Sequence, residues 1–139
     1  RYYQRGKPPL LKWWEQVTIN DKSEYIIKYI KDKYNDDIEY LWEKFPDCGV
    51  WRNKENNKWY GVLLSVKENK LGLASNKEII ILDLKYDKDK VSDIVDNINI
   101  FPGYHMNKKS WISINLCGNI DLEEVYKLID KSYILSKEK

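Results

Sequence analysis

The chain has few of the residues on which catalytic and metal sites usually depend. Its 139 residues include one histidine, His105, and two cysteines, Cys48 and Cys117, which form no C-x-x-C pair. These are too few ligands for a structural zinc site, and reduced, buried thiols are expected in preference to a disulfide. The glycine-rich phosphate-binding motifs and the G-x-S-x-G nucleophile motif are absent. We therefore expect a protein that is not an enzyme, with no catalytic residue, no metal and no cofactor.

Long apolar runs and a strong net charge are missing as well. No apolar stretch approaches the length of a membrane span and no secretory signal pattern is visible, so we expect a cytoplasmic protein with no membrane partner. The chain starts at Arg1 and not at Met, as expected of a fragment or a trimmed chain. Its 24 basic and 22 acidic residues give a net charge of +2, which by itself requires no polyanionic partner.

The first twenty residues differ in composition from the rest. Residues 1–20 carry four cations against the single acid Glu15, and Pro8-Pro9 favours an extended stretch. We interpret residues 1–20 as an arm, or the remnant of an upstream region, that docks Trp13-Trp14 on this domain or on a neighbour. A basic arm for the minor groove of DNA is the alternative. Residues 21–139 form the domain proper.

Apolar residues recur at helical spacing in four segments. Two of the predicted helices begin at capping boxes, Asp21–Glu24 and Asp121–Glu124. A third begins at Ile38 and ends before Pro46, and a fourth begins at Asp87. The Asp87 helix carries the apolar stripe Val91, Ile94, Val95 and Ile98, and Phe101-Pro102-Gly103 ends it.

A period of two residues predicts the strands. The segments are Val50–Arg52, Lys58–Val66, Glu78–Tyr86, Tyr104–Met106 and Trp111–Leu116. The first two form a hairpin in which Tyr60, Val62, Leu64 and Val66 share one face, and the run Ile79–Leu82 is typical of a central strand with both faces covered. The order, roughly α-α-β-β-β-α-β-β-α, predicts an α+β fold with a mainly antiparallel sheet covered by helices.

Charge is divided unevenly along the chain. Residues 21–47 are net acidic, whereas the predicted hairpins are basic, and residues 101–120 carry Lys108 and Lys109 with no acid. Such hairpins can contact phosphates, and the neighbouring aromatic residues Trp51, Trp59, Tyr104 and Trp111 can stack on exposed bases. The alternative is that the lysines only line solvent faces and strand edges.

Two single residues carry possible chemistry. His105 is the one side chain suited to acid–base work at neutral pH, but a histidine that bonds a turn is the simpler interpretation. Asp83 lies in an apolar strand and is expected to be buried, with Lys85 or a neighbouring strand as its partner.

The segment Phe101–Ile112, which contains Pro-Gly-Tyr-His-Met-Asn-Lys-Lys-Ser-Trp, is distinctive. With Lys58-Trp59-Tyr60-Gly61-Val62 upstream and Ile129-Asp130-Lys131-Ser132-Tyr133 downstream, it resembles the MmcQ/YjbR family of small bacterial proteins over about residues 21–135. The resemblance implies a fold related to the frataxin-like and secretion-chaperone-like architectures. It also implies DNA binding by two hairpin wings. This chain departs from the family pattern at Cys117-Gly118, where Asp-Gly is common, and at Ser110, where a second histidine is frequent.

The resemblance and the charge pattern together predict a nucleic-acid-binding domain, expected to be a monomer with DNA as its partner. The phosphate contacts are assigned to five cations, Arg52, Lys54, Lys58, Lys108 and Lys109. The other motif residues, which shape the groove or contact the bases, are His105, Asn107 and Trp111. One alternative is a protein–protein interaction module. The other is a small-molecule site at His105 with Tyr104 and Cys117.

Overall fold

Five antiparallel strands form the frame of the molecule. The computed structural model describes the backbone of residues 13–138 and the side chains of residues 22–138. Within that range the strands follow the order β1-β2-β3-β5-β4 in one sheet, and every neighbouring pair is antiparallel. The predicted α+β class is therefore confirmed. The elements are α1 (Trp13–Tyr34), β1 (Gly49–Arg52), β2 (Trp59–Lys67), a 3-10 turn (Glu68–Leu71), β3 (Glu78–Lys85), α2 (Val91–Ile94), β4 (Ile100–Pro102), β5 (Trp111–Asn115) and α3 (Leu122–Ser136).

Helices α1 and α3 cover one face of the sheet. Their apolar stripes, which include Ile26 and Ile30 on α1 and Val125 and Ile129 on α3, join the sheet residues in the main core. Burial of each such side chain stabilises the fold by roughly 1.5–3 kcal/mol. The sheet side of this core is formed by Trp51, Leu63, Leu82, Leu84, Ile112 and Ile114.

The opposite face of the sheet is also closed, but by connecting loops. Val66, Ile79 and Ile81 form a second cluster there, against which Leu71 and Tyr104 pack. Strand β3 is the middle strand and is buried on both faces, as its unbroken apolar run predicts.

A β-bulge redirects one residue of β2. Trp51 pairs with Gly61 and Arg52 with Trp59, so Tyr60 has no partner on β1. The Tyr60 ring lies in the same cluster as Trp51 and Leu63. The prediction that Tyr60 shares a face with Leu64 and Val66 is therefore wrong, because strict alternation does not continue through a bulge.

The hydroxyl of Ser132 joins β2 to β3 beside the bulge. Its Oγ accepts the Lys85 N–H at 2.9 Å and donates to the carbonyl oxygen of Tyr60 at 2.5 Å. Ser132 is fully buried on α3, so one side chain satisfies two backbone groups and also fixes the helix on the sheet.

The helix predicted from Ile38 to Phe45 is absent. Asn35 has a φ of 57°, which ends α1, and the buried carboxylate of Asp36 accepts a hydrogen bond from the Tyr60 hydroxyl. Glu39 then exchanges two backbone hydrogen bonds of 2.9 Å with Val50. These non-local bonds hold residues 35–48 as a loop along β1 despite their helical period.

Three other boundaries differ from the predictions. Helix α1 already begins at Trp13, so Asp21–Glu24 lie inside it and form no cap. Helix α2 is a single turn that ends at Ile94, and Phe101 and Pro102 belong to β4. Residues Tyr104–Met106 form part of a loop, not a strand. Of the arm predicted over residues 1–20, residues 1–12 lie outside the described residues, and residues 13–20 belong to α1. No helix within residues 13–138 has both the length and the apolarity of a membrane span.

Replacing Ser132 with alanine tests the join between β2 and β3. The change leaves the Lys85 N–H and the Tyr60 carbonyl without their partner, so the free energy of unfolding should fall by about 1–3 kcal/mol. The measurement is urea unfolding followed by tryptophan fluorescence. Replacing the exposed Ser92 with alanine is the matched control and should change stability by less than about 0.5 kcal/mol. Equal stability of the two variants would contradict the assigned role.

Candidate functional site

Two loops that carry most of the predicted site residues lie at the same end of the sheet. Loop A (residues 53–58) joins β1 to β2, and loop B (residues 103–110) joins β4 to β5. The pairings of Gly61 with Leu84 and of Lys85 with Trp111 place the start of β2, the end of β3 and the start of β5 side by side. Because β3 separates β2 from β5, the two loops are about two strand spacings apart, or roughly 10 Å.

Loop A is held by asparagine side chains. Asn53 is buried, donates from Nδ2 to the Ser136 hydroxyl at 3.1 Å, and accepts the Glu55 N–H at 2.9 Å. Asn56 donates to the Ser136 carbonyl and accepts the Lys58 N–H. Loop A is therefore fastened to the end of α3, and its shape does not depend on a ligand.

Loop B is fastened in a similar way. The Oδ1 atom of Asn107 accepts the Lys109 N–H at 2.9 Å, and the Asn107 carbonyl accepts the Ser110 N–H at 3.2 Å. The Lys108 ammonium donates to the Gly103 carbonyl at 2.9 Å and so closes the loop. A Cβ atom on Gly103 would lie 2.7 Å from Cβ of Trp111, so this position needs glycine.

A buried carboxyl group anchors loop B to the middle of the sheet. Asp83 is 1% exposed on β3, and its Oδ1 accepts a hydrogen bond from the Ser113 hydroxyl on β5. The same hydroxyl accepts the Tyr104 N–H at 2.8 Å. Burial raises the pKa of Asp83 from its ordinary 3.8 to about 7, although Ser113 and the Lys108 ammonium act in the opposite direction.

The single histidine lies on the surface of loop B. His105 is exposed, has a φ of 62°, and contacts the Tyr104 ring in a tilted arrangement, with ring centroids 4.0 Å apart and an angle of 49° between the ring planes. Cys117 follows the far end of β5, about 17 Å from the start of that strand. His105 and Cys117 therefore cannot form a joint site. Both cysteines are free thiols.

The aromatic residues proposed for base stacking fall into two groups. Trp51 is fully buried and Trp111 is 8% exposed, so neither ring presents a free face. Trp59 and Tyr104 are partly exposed. The Lys85 ammonium covers the Trp111 ring, 5.0 Å from its centroid.

The cations of the two loops differ in their internal partners. Arg52 binds Glu39 through two nitrogen atoms, which lowers the pKa of that carboxyl group, and Lys54 contacts the Asn35 carbonyl and Asp36. The Lys58 ammonium donates to the Glu138 carbonyl at 2.6 Å. Within the described part of the chain, the exposed Lys109 side chain makes no hydrogen bond or ion pair. Lys58, Lys108 and Lys109 thus bear charge that no described acid pairs with.

A separate apolar surface follows α1. Leu41 and Phe45 are exposed in the loop of residues 35–48, and Trp42 meets Trp59 edge to face at 5.8 Å.

Residues 22–138 contain no cluster of three or more His, Cys, Asp or Glu side chains that is suited to a metal ion.

Comparison with known proteins places this structure in a family. The YjbR family model matches residues 31–135, a range that includes both loops, Asp83 and most of α3. The chain belongs to the YjbR family. The resemblance seen in the sequence is thereby confirmed.

Individual relatives of this YjbR chain agree with the assignment. The Bacillus subtilis protein YyaQ is 42% identical over 114 residues, which cover 82% of this chain and 97% of YyaQ. A crystal structure of a Pseudomonas syringae protein is 35% identical, covers 81% of this chain and 97% of that one, and gives a TM-score of 0.78. A Deinococcus radiodurans structure with 19% identity and a TM-score of 0.63, covering 84% of this chain and 79% of that one, shares the fold.

The structure brings most of the predicted site residues together. His105, Asn107, Lys108, Lys109 and Trp111 lie on or beside loop B, and Arg52, Lys54 and Lys58 on or beside loop A. Sequence reasoning missed the link through Ser113 and Tyr104. An acid inside an apolar strand was the available signal for Asp83, whose partner is Ser113 on the neighbouring strand and not Lys85.

The buried Asp83 should make the stability of this YjbR domain depend on pH. Because the folded-state pKa of about 7 lies above the ordinary 3.8, the folded state binds more protons between these values. The free energy of unfolding should therefore fall as pH rises from about 4 to about 7, by at most roughly 4 kcal/mol from this group. Asp83→Asn should remove this component in urea unfolding at several pH values, whereas Asp93→Asn, at an exposed position of α2, should retain it. An unchanged pH profile for Asp83→Asn would refute the assignment.

Proposed function

We propose that this domain is not an enzyme but binds nucleic acid, with DNA as its partner, and that loops A and B act as two wings. The observation that carries this proposal is the placement of both loops at one end of the sheet, with the ammonium groups of Lys58, Lys108 and Lys109 in no ion pair within the described residues. Two rigid cationic loops roughly 10 Å apart suit a ligand with repeated phosphate groups.

Lys109 has the most direct role in this proposal. Its side chain is exposed and makes no bond within the described residues, while its backbone is held by Asn107 and by the N–H of Asp89. The ammonium of Lys108 keeps one bond to Gly103 and retains further N–H groups for a phosphate. Both contacts would give affinity that depends on salt and not on base sequence.

The remaining predicted residues take supporting roles. Asn107 shapes loop B, and His105 presents its ring from a left-handed backbone position next to Tyr104, where it can reach a sugar or base. Trp111 supports the loop from below. To bind phosphates, Arg52 and Lys54 must first break their ion pairs with Glu39 and Asp36, and this costs free energy. Their contribution to the affinity should therefore be smaller than that of Lys109.

A protein-interaction role is the second candidate. The observation that favours it is the exposed apolar surface of Leu41, Trp42 and Phe45, since such patches often mark interaction sites. A Leu41→Ser/Phe45→Ser variant separates the two functions, because it removes this surface and leaves loops A and B unchanged. Oligonucleotide affinity should be the same as in the wild type. If affinity falls with these substitutions, the apolar surface belongs to the same interface.

Lys109→Glu tests the proposed function. Affinity for labelled duplex and single-stranded oligonucleotides, measured by fluorescence anisotropy at low salt, should fall by about tenfold or more, because a phosphate contact becomes a repulsion. Lys109→Ala should reduce the slope of log affinity against log salt concentration by about one. Lys108 is less suitable as a first target because it also closes loop B.

The matched control is Lys70→Glu, the same charge change on an exposed residue at the opposite end of the sheet. It should reduce affinity only slightly, through the net charge. Equal losses for Lys70→Glu and Lys109→Glu, or no binding by the wild type even at low salt, would reject the proposal.

A further inference from the structure

Lys85 occupies an unusual position for a lysine. It is the last residue of β3, pairs with Trp111 on β5, and is partly buried, with its ammonium 5.0 Å from the centre of the Trp111 ring. No ion pair with an acid balances its charge within the described residues. A partly desolvated ammonium group that has only an aromatic ring beside it is a costly arrangement in the absence of an anion.

A second lysine lies close to the first. Ser132 bridges the Tyr60 carbonyl and the Lys85 N–H, so Tyr60 lies directly across from Lys85, and Lys58 is two residues before Tyr60 on the same chain. Lys58 immediately precedes β2 and Lys85 ends β3, and the pairing of Gly61 with Leu84 places these two ends side by side. Burial and the Lys58 ammonium both lower the pKa of Lys85. The Lys58 ammonium donates to the Glu138 carbonyl and retains further N–H groups for an anion.

The position of this pair relative to the loops suggests its ligand. Lys58 ends loop A, and Trp111 begins β5 directly after loop B, so Lys85 on β3 lies between the two. The charge of loop A is thereby continued towards Lys108 and Lys109. An extended polyanion that contacts both loops would span the end of β3, where Lys85 lies.

We infer that Lys58 and Lys85, beside the Trp111 ring, form a phosphate-binding subsite between the two loops, which receives a phosphodiester of the bound nucleic acid. The inference rests on the proposed function and extends it to Lys85, a residue of the sheet itself. One phosphate between the two ammonium groups removes their mutual repulsion and replaces part of the hydration that Lys85 has lost.

The test uses Lys85→Met, which keeps an unbranched apolar stem over Trp111 and removes the charge. Lys85→Arg restores a cation, and Lys70→Met is the control at the far end of the sheet. The first measurement is an NMR titration of the labelled protein with inorganic phosphate. It should shift the Lys85 amide and the Trp111 indole signals in a saturable way in the wild type, in Lys85→Arg and in Lys70→Met. In Lys85→Met the apparent affinity should fall about fivefold or more. Thermal unfolding of each variant confirms that it is folded.

The second measurement is oligonucleotide affinity of the same variants by anisotropy. A loss of about fivefold in Lys85→Met, with recovery in Lys85→Arg, supports the subsite. If oligonucleotide binding depends on Lys109 but is unchanged in Lys85→Met, the subsite is refuted and the proposed function stands. If inorganic phosphate binds at Lys85 but no oligonucleotide binds, the nucleic-acid function is refuted and the pair is a site for free phosphate. Absence of both kinds of binding overturns both proposals.

Discussion

The hydrogen bond between Asp83 and Ser113 in the centre of the sheet determines where the candidate site lies. Asp83 on the middle strand is removed from water, and this burial disfavours its charged form. Its pKa is therefore raised to about 7. The Ser113 hydroxyl reduces this cost by donating its one hydrogen to Asp83, and its oxygen accepts the Tyr104 N–H. Loop B is thus attached to the rigid middle of the sheet at its first residues, and the Lys108 ammonium lies near enough to favour the Asp83 carboxylate. The buried acid and the Lys108 ammonium of loop B therefore influence each other electrostatically.

The two ends of the sheet differ because of how the strands are connected. Two hairpins, β1–β2 and β4–β5, turn at the same end, and β3 is inserted between them. Ser132 closes the gap between β2 and β3 at that end, where the bulge at Tyr60 interrupts the regular ladder. The end of α3 then receives loop A through Asn53 and Asn56. Both loops are therefore fixed by hydrogen bonds to buried groups. A ligand meets a surface that is already organised, so the loops lose little conformational entropy when it binds.

The sequence predicts the features of this fold that arise from local patterns. Alternating apolar residues predict the β1–β2 hairpin, and the unbroken run from Ile79 to Leu82 predicts the central strand. The failures are at non-local bonds. Residues 38–45 have a helical period, yet the pairing of Glu39 with Val50 and the bond from Tyr60 to Asp36 hold them as a loop. Likewise, no residue near Tyr60 in the sequence indicates that the hydroxyl of Ser132, on a distant helix, takes the place of a backbone hydrogen bond between β2 and β3.

The same limit applies to the site. Composition identifies basic hairpins, but it cannot distinguish a lysine that stabilises the fold from one that faces a ligand, because the distinction depends on which carbonyl or carboxylate lies within reach. Lys54 bonds to the carbonyl of Asn35, just after α1, and Lys108 to a carbonyl of loop B. Arg52 is paired with Glu39, whereas the Lys109 side chain meets no partner among the described residues. A net charge of +2 spread over the whole chain therefore understates the local field at this end of the sheet. With only a few cations free to meet phosphates, any affinity for nucleic acid must be moderate, and its dependence on salt must be correspondingly shallow, because the slope grows with the number of phosphate contacts. Phosphate contacts do not select one sequence or strand form, so this selection would need contacts to the bases from His105 or the partly exposed Trp59.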